Sequence, residues 1–311
     1  MTIVIDAHIP YIVEAIREHW PQVDISPLES EQIDTAAVRQ ADVLIVRTRT
    51  KVNEALLAGS SVRLVCTATI GFDHIDTAWC ESHAIRWTAC PGCNAQAVCD
   101  YIEEALNEIT NDQLPITNTP TIGVVGVGHV GSLVAKMAER RGLNVLLNDP
   151  PQGIGVSLDE IAANCDIITF HVPLDDSTYH LCDETFLARC KPHALIINAA
   201  RGGVVDEQAL LRSGHPYILD TWENEPHISP ELLQHAFRAS MHIAGYSVEG
   251  KRNASQHCLD FIAKIFSLPP VTLPAFPSRG DTAPGWLERI TRTLQSQPEA
   301  FESLRKNYPL R

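Results

Sequence analysis

An α/β architecture built on parallel sheets is what the sequence predicts, and three observations carry that expectation. Short apolar runs alternate with helical patterns almost throughout the 311 residues. The length accommodates two domains with full hydrophobic cores. A glycine pattern, Gly126-x-Gly128-x-x-Gly131, lies between an apolar run and a helical one.

The elements follow in chain order. TIVI (2–5), VLIV (43–46) and RLVC (63–66) read as buried strands, with PYIVEAIREHW (10–20) and KVNEALLAG (51–59) as helices between them. After the turn Pro91-Gly92, the stretch NAQAVCDYIEEALNEIT reads as a helix. Asn94 is its expected N-cap, and Ala97, Tyr101, Ala105 and Leu106 recur at helical spacing. A polar stretch at 110–120 then precedes a second series of strands. These are TIGVV, NVLLND (144–149), DIITFHVPL (166–174), ALIINAARGG (194–203), YILD (217–220) and SMHIAG (240–245). Prolines cluster over 267–286, and the residues beyond read as helical again. There Trp286, Leu287, Ile290 and Leu294 form an apolar face that must pack against its own chain or a partner.

Composition narrows the function classes. Apolar residues make up 45% and charged residues 20%, an ordinary globular profile, and no apolar run approaches the roughly 18–20 residues of a membrane helix. A formal net charge of -14 argues against nucleic-acid and anionic-membrane surfaces. It leaves room for an anionic metabolite, which needs only a few cations gathered locally. The start, MTIVIDAHIP, has no basic n-region, so a cytoplasmic location is expected. Nine scattered cysteines read as free thiols in a reducing compartment.

Cys90-Pro91-Gly92-Cys93 has the spacing of a redox dithiol or of half a zinc site. A zinc site needs a second ligand cluster, and no second CxxC exists. In thioredoxin-like enzymes a helix follows such a dithiol, as here, but the next hundred residues form a dinucleotide fold. The expected reading is a Pro-Gly turn entering a helix, with both cysteines as passengers and no metal bound.

The glycine pattern meets each contextual test of a dinucleotide site. A buried strand precedes it, a helix follows, and the next strand ends at Asp149, 18 residues beyond Gly131. The first glycine allows a tight turn, the second lets backbone approach a pyrophosphate, and the third permits close helix–strand packing. The helix N-terminus then offers unpaired N–H groups to phosphates. An aspartate at that distance suits the ribose hydroxyls of NAD, and Pro150-Pro151-Gln152 supply no arginine for the extra phosphate of NADP. The competing reading is a flavodoxin-like packing run with a chance aspartate. Strand ends in such sheets line the ligand crevice, which places Val172, Arg201, Asp220 and His242 on one rim.

INAARGGVVDEQAL, DTWENEP and HIAGY together resemble the D-2-hydroxyacid dehydrogenase superfamily. Within it, VRTRTKVNEALLAG (46–59), CTATIGFDHID (66–76), PGCNAQAV (91–98), LLNDPP (146–151) and HIAGYSVEGK (242–251) resemble the erythronate-4-phosphate dehydrogenase family. The resemblance runs from Met1 to about residue 266, and FESLRKNYP (301–309) resembles part of the family's C-terminal segment. It implies a flavodoxin-like substrate-binding (lid) domain at 1–93 and 247–267, and an NAD-binding Rossmann domain at 94–246. Residues 268–311 would be a short C-terminal segment that builds a homodimer. It implies Arg201, Glu225 and His242 as catalytic residues. Gly126, Gly128, His129, Val130, Gly131, Asp149, Val172, Ala199, Asp220 and Gly245 would line the cofactor, and Thr48, Thr69 and Tyr246 the substrate. Three departures are visible: Met241 stands where proline is usual, Thr48 replaces a usual serine, and of the CPGC pair only the second cysteine is usual.

Each catalytic residue has a physical role. A 2-hydroxy acid loses its hydroxyl proton as hydride leaves the adjacent carbon, and an imidazole at His242 suits that proton. A carboxylate at Glu225 favours the charged ring and orients it. The planar fork of Arg201 can grip the substrate carboxylate. Arg47, Arg49 and Lys51 bracket Thr48 and Thr50 as an anion pocket, with Arg47 the expected phosphate ligand, and Arg305 and Lys306 are expected near the same phosphate, including across a dimer.

The implied reaction is NAD-dependent oxidation of 4-phospho-D-erythronate on the route to pyridoxal 5'-phosphate. The alternatives are another D-2-hydroxyacid dehydrogenase, of phosphoglycerate or hydroxypyruvate/glyoxylate type, and an NAD-sensing corepressor-like binding protein. An intact triad does not exclude the last of these.

Overall fold

Five parallel strands form the first sheet in the order β2-β1-β3-β4-β5, comprising β1 (Thr2–Asp6), β2 (Asp24–Leu28), β3 (Val43–Val46), β4 (Leu64–Thr67) and β5 (Arg86–Thr88). This is the flavodoxin-like order. The computed structural model describes residues 1–109, 119–277, 280 and 283–311, so most of the polar stretch expected as a boundary lies outside the described residues. Burial explains why β3 and β4 were legible as apolar runs: all eight of their residues are buried, as parallel strands covered on both faces must be. β2, reading DISPL with no buried residue, sits at the sheet edge and carries no such signal. The unit comprises Met1–Asn94 with Ser247–Ser278, and the 19-residue helix Val248–Phe266 packs its buried face into its core.

The second sheet has seven strands in the order β12-β11-β10-β9-β6-β7-β8. They are β6 (Thr121–Val125), β7 (Asn144–Asp149), β8 (Ile154–Gly155), β9 (Ile167–Phe170), β10 (Leu195–Asn198), β11 (Tyr217–Leu219) and β12 (Arg238–Ala239). All pairs are parallel except β7 with the short β8. The chain starts this sheet at β6, winds outward through β7, then crosses back to β9 beside β6. Ligands of doubly wound sheets bind where the order reverses in this way.

Two local expectations are corrected. Asn94 precedes the helix Ala95–Asn107, yet its Oδ1 is buried without a hydrogen-bond partner, so it does not cap the helix. The run SMHIAG is a loop, not a strand. The sheet ends at Ala239, and the next backbone donors go to Leu219 and Asp220: the N–H of Ser240 to Leu219 O, and those of Ile243 and Ala244 to the Asp220 side chain.

The C-terminal residues divide between the units, where a single separate segment over 268–311 was expected. Residues up to Ser278 group with the first unit and Arg279–Arg311 with the second. In the first, Trp20 Nε1–H donates to Pro269 O at 2.9 Å and Tyr11 stacks on Phe276 at 3.8 Å. In the second, Trp286, Leu287, Leu294 and Phe301 are at most 4% exposed and belong to the main core, and Thr291 Oγ1 bridges both the N–H and the C=O of Ala239. The apolar face read in the sequence therefore packs against its own chain. Phe301→Ala should cost about 3–5 kcal/mol of stability, the usual range for emptying a buried aromatic site. Urea unfolding followed by circular dichroism measures it, and a loss below about 1 kcal/mol would show that the ring supports little of this core.

Candidate active site

Each implied cofactor or catalytic residue in the second unit stands at or just past the C-terminal end of a strand, or in the turn that follows one. Gly126 follows β6, and its positive φ of 89° is a backbone region that favours glycine. A Cβ there would lie 2.6 Å from His171 O and 2.9 Å from Val172 Cγ1, so β9 approaches the turn closely. A Cβ on Gly131 would lie 1.9 Å from Gly126 O, so the helix His129–Arg140 seats directly on the loop. Gly128 differs: a Cβ there meets nothing within 4 Å. Two of the glycines are demanded by packing, while the middle one leaves room beside the helix N-terminus, where a pyrophosphate would approach.

Asp149 ends β7 with 9% exposure. Its Oδ2 accepts the Val127 N–H and the Gln152 side-chain amide, both at 2.7 Å. The aspartate thus ties the glycine loop to β7. Val172 and Ala199 stand half-buried past β9 and β10, and Gly245 half-buried in the loop after β12. These residues fit a dinucleotide, with the loop and helix start of Gly126–Gly131 for the phosphates and Asp149 for the ribose.

His242 has a positive φ of 58°, an uncommon conformation for a non-glycine residue. Asp220, 1% exposed, holds it there. Asp220 Oδ1 accepts Ser240 Oγ–H at 2.6 Å and the Ile243 N–H at 2.7 Å, and Oδ2 accepts the Ala244 N–H at 2.9 Å. The His242 N–H donates to Asp220 O at 2.7 Å, and Tyr101 Oη lies 2.8 Å from Ser240 Oγ beneath. The resemblance implied a cofactor contact for Asp220. In this structure its carboxylate shapes the loop that carries His242.

The imidazole is oriented by Glu225, with Nδ1 2.8 Å from Oε2. Glu225 Oε1 in turn accepts the Trp222 N–H at 2.9 Å. With Nδ1–H donating to the carboxylate, Nε2 is left as the proton acceptor. Arg201 reaches the same turn through its neighbour: a Cβ on Gly202 would lie 2.0 Å from Trp222 O, so the two backbones touch. Asn198 shapes the approach, donating from Nδ2 to Arg201 O at 2.8 Å and accepting the Ala200 N–H at 3.1 Å. The described bond of the Arg201 guanidinium is to Ala200 O, at 2.8 Å. The structure thus brings Glu225 and His242 into contact and sets the Arg201 turn against theirs.

In the first unit, Thr48, Arg49 and Lys51 line a cleft of about 540 Å³ with Asn53, Asp73, His74 and Asp76. Arg47 does not line it. Its Nη2 pairs with the fully buried Asp6 at 2.9 Å. Burial alone would raise the Asp6 carboxyl, but bonds from Arg47, Ser30 Oγ and the His8 N–H hold it below the usual carboxylate range. The expected phosphate ligand is thus engaged inside its own unit. Thr69 Oγ1 lies 2.7 Å from Thr67 Oγ1 and donates to Gly71 O at 2.9 Å, and His74 Nε2 lies 3.0 Å from Thr67 Oγ1.

Residues 105–244 match the model for the NAD binding domain of D-isomer specific 2-hydroxyacid dehydrogenases. The erythronate-4-phosphate dehydrogenases of Bacteroides fragilis and Bacteroides thetaiotaomicron are 41% and 40% identical to this chain, each over 100% of it and 97% of the relative. The chain belongs to the erythronate-4-phosphate dehydrogenase family. Among solved structures, NAD+-bound 3-phosphoglycerate dehydrogenase of Entamoeba histolytica superposes with a TM-score of 0.70 at 23% identity, over 89% of this chain and 99% of that one, which shows the shared fold. The second unit is accordingly an NAD-binding domain, and the chain an oxidoreductase of the D-2-hydroxyacid dehydrogenase type.

The Cys90-Pro91-Gly92-Cys93 motif now has a place. Cys90 is 1% exposed, with its sulfur 3.3 Å from Thr67 O and 4.0 Å from Cys258 Sγ. The contact with Cys258 and burial push the Cys90 thiol up, and burial pushes Cys93 up to about 12. A nucleophilic dithiol needs the opposite shift.

The sequence placed Arg305 near a substrate phosphate; in the structure it neighbours Glu225, and an acidic cluster around Glu223 and Glu207 was not anticipated. Arg305 Nη1 lies 3.8 Å from Glu225 Oε2, in the same chain. His180 Nε2 lies 2.9 Å from Glu223 Oε1, which also accepts Tyr179 Oη–H at 3.0 Å. Glu207, 5% exposed, accepts the Glu223 N–H at 2.7 Å. Only the acidic character of DEQAL and WENEP hinted at this cluster. Burial pushes the Glu207 carboxyl up to about 7; the Glu223 N–H opposes this, while the charges of Glu223, Glu225 and Asp206 add to it. A carboxyl raised in the folded state binds more protons than in the unfolded chain, so stability falls as pH rises between about 4.5 and 7. Glu207→Gln keeps the acceptor and removes the charge. It should gain about 1–3 kcal/mol at pH 8 relative to wild type, and little at pH 4.5. Urea titrations at the two pH values read the difference, and equal gains at both would contradict the shift.

Proposed function

We propose that this chain oxidises 4-phospho-D-erythronate to (R)-3-hydroxy-2-oxo-4-phosphobutanoate, on the route to pyridoxal 5'-phosphate. The observation that carries the chemistry is the 2.8 Å contact of His242 Nδ1 with Glu225, which leaves Nε2 to accept the hydroxyl proton. The substrate rests on relatives named erythronate-4-phosphate dehydrogenase that align over the whole chain. When bound, NAD supplies the acceptor for the hydride. As His242 takes the proton, Glu225 stabilises the imidazolium, with its own Oε1 held by Trp222 N–H. Arg201 grips the substrate carboxylate and polarises the forming carbonyl. Tyr246, Thr48 and Thr69 are the proposed substrate contacts. For the phosphate we assign Arg49 and Lys51, which line the cleft with Thr48, in place of Arg47.

NADH formation with a panel of 2-hydroxy acids tests this reading. Phosphoerythronate should give the highest kcat/KM, and His242→Ala should lose about 10²–10⁴-fold in turnover while still binding NADH. Preference for phosphoglycerate or glyoxylate-type substrates would move the chain to a different activity of the superfamily. NADH binding without turnover on any member would favour the sensor reading.

We also propose that the chain acts as a homodimer in the cytoplasm. Nine free cysteines and, among the described residues, no helix long and apolar enough to cross a membrane are compatible with that location, and cell fractionation tests it. Light scattering should give twice the chain mass of 34.2 kDa, and a particle of single-chain mass at micromolar concentration would sink the dimer.

A further inference from the structure

The His242 loop is held on both sides of its backbone. Asp220 takes the N–H groups of Ile243 and Ala244. Their carbonyls face Arg311: its Nη2 donates to Ala244 O at 2.6 Å and lies 3.3 Å from Ile243 O. The same guanidinium sits 4.4 Å above the Trp286 ring, which is buried in the core. One turn of chain earlier, the helix Phe301–Lys306 is anchored by the fully buried Phe301 and aims Arg305 at the dyad. Arg305 Nη1 lies 3.8 Å from Glu225 Oε2, the oxygen that His242 Nδ1 contacts, and its guanidinium carbon lies 6.0 Å from the Tyr246 ring. Its Nε is buried without a hydrogen-bond partner. All of these residues belong to one unit of one chain.

We propose that residues 301–311 are a positioning element of their own chain's active site. Arg305 offsets part of the Glu225 charge and so lowers the basicity of His242, and Arg311 fixes the loop that presents the imidazole. This rests on the assignment of His242 and Glu225 as the proton-handling pair.

The charges facing that pair set the sign. Glu207 and Glu223 face Glu225 from the adjoining helix and turn, Asp220 lies beneath the loop, and Glu302 is 3.8 Å from Arg305 on its own helix. Arg201 approaches the turn through Gly202. These neighbours are mainly acidic, and Arg305 sets a positive charge 3.8 Å from Glu225 among them. Removing its charge should therefore raise the pH at which His242 loses its proton.

The test is an NMR titration of the His242 imidazole in the full-length protein, which is independent of turnover. Arg305→Gln should move the midpoint up by about half a unit to one unit, and Arg305→Lys should keep it near wild type. The acid limb of kcat/KM should move with it, a loss of about three- to tenfold below the limb. Arg311→Ala should lower kcat by about tenfold with an unchanged Kd for NADH, and Arg311→Lys should recover part of it. An unmoved midpoint in Arg305→Gln would overturn the Arg305 role, and a wild-type kcat in Arg311→Ala the Arg311 role. Loss of NADH binding in either variant would overturn the proposal in favour of a purely structural role. If the wild type turned over no hydroxy acid while the midpoint moved as expected, the functional reading would fail and the positioning role of Arg305 would stand.

Discussion

The loop that carries His242 depends on one buried carboxylate. Past β12 the chain turns through a positive φ at His242, and its backbone donors need partners away from any strand. An unsatisfied buried N–H costs about 1–3 kcal/mol, so a loop of this shape exists only where something accepts from it. Asp220 does so for Ile243, Ala244 and the Ser240 hydroxyl, and its own C=O accepts the His242 N–H. The position of the imidazole follows from that arrangement. Its orientation then comes from Glu225, which the Trp222 N–H holds in place.

The glycine loop obeys a related logic at the other side of the sheet's switch point. Gly126 and Gly131 are dictated by contacts with His171 O and Gly126 O, distances at which a methyl group cannot exist. Gly128 is under no such pressure, so its lack of a side chain serves what approaches from outside. Asp149 pins the same loop by accepting a loop N–H from the end of β7.

The tail extends this economy. A short helical appendage cannot hold itself together, and here it borrows the core of the nucleotide unit through Trp286, Leu287, Leu294 and Phe301. Once seated, it carries two arginines to the places where the catalytic loop presents carbonyls and Glu225 an oxygen. The seating of the tail and the placing of Arg305 are then linked, since Phe301 and Arg305 share one docked helix.

The sequence by itself determined the parallel α/β class, because buried strands such as VLIV are apolar throughout and Gly126 and Gly131 meet a local steric requirement. It also pointed to the superfamily through NAARG, WENEP and HIAGY, and to the family through stretches such as VRTRTKVNEALLAG and CTATIGFDHID. It could not locate what depends on partners far along the chain. SMHIAG has the composition of a strand, and only Asp220, some twenty residues earlier, makes it a loop. Arg47 reads as a free cation in RTRTK, but the fold sets it against Asp6 from a neighbouring strand. Arg305 reads only as a phosphate neighbour and Arg311 not at all, because a cation's role is set by what lies opposite it, and only the tertiary structure brings Glu225, Ile243 and Ala244 there.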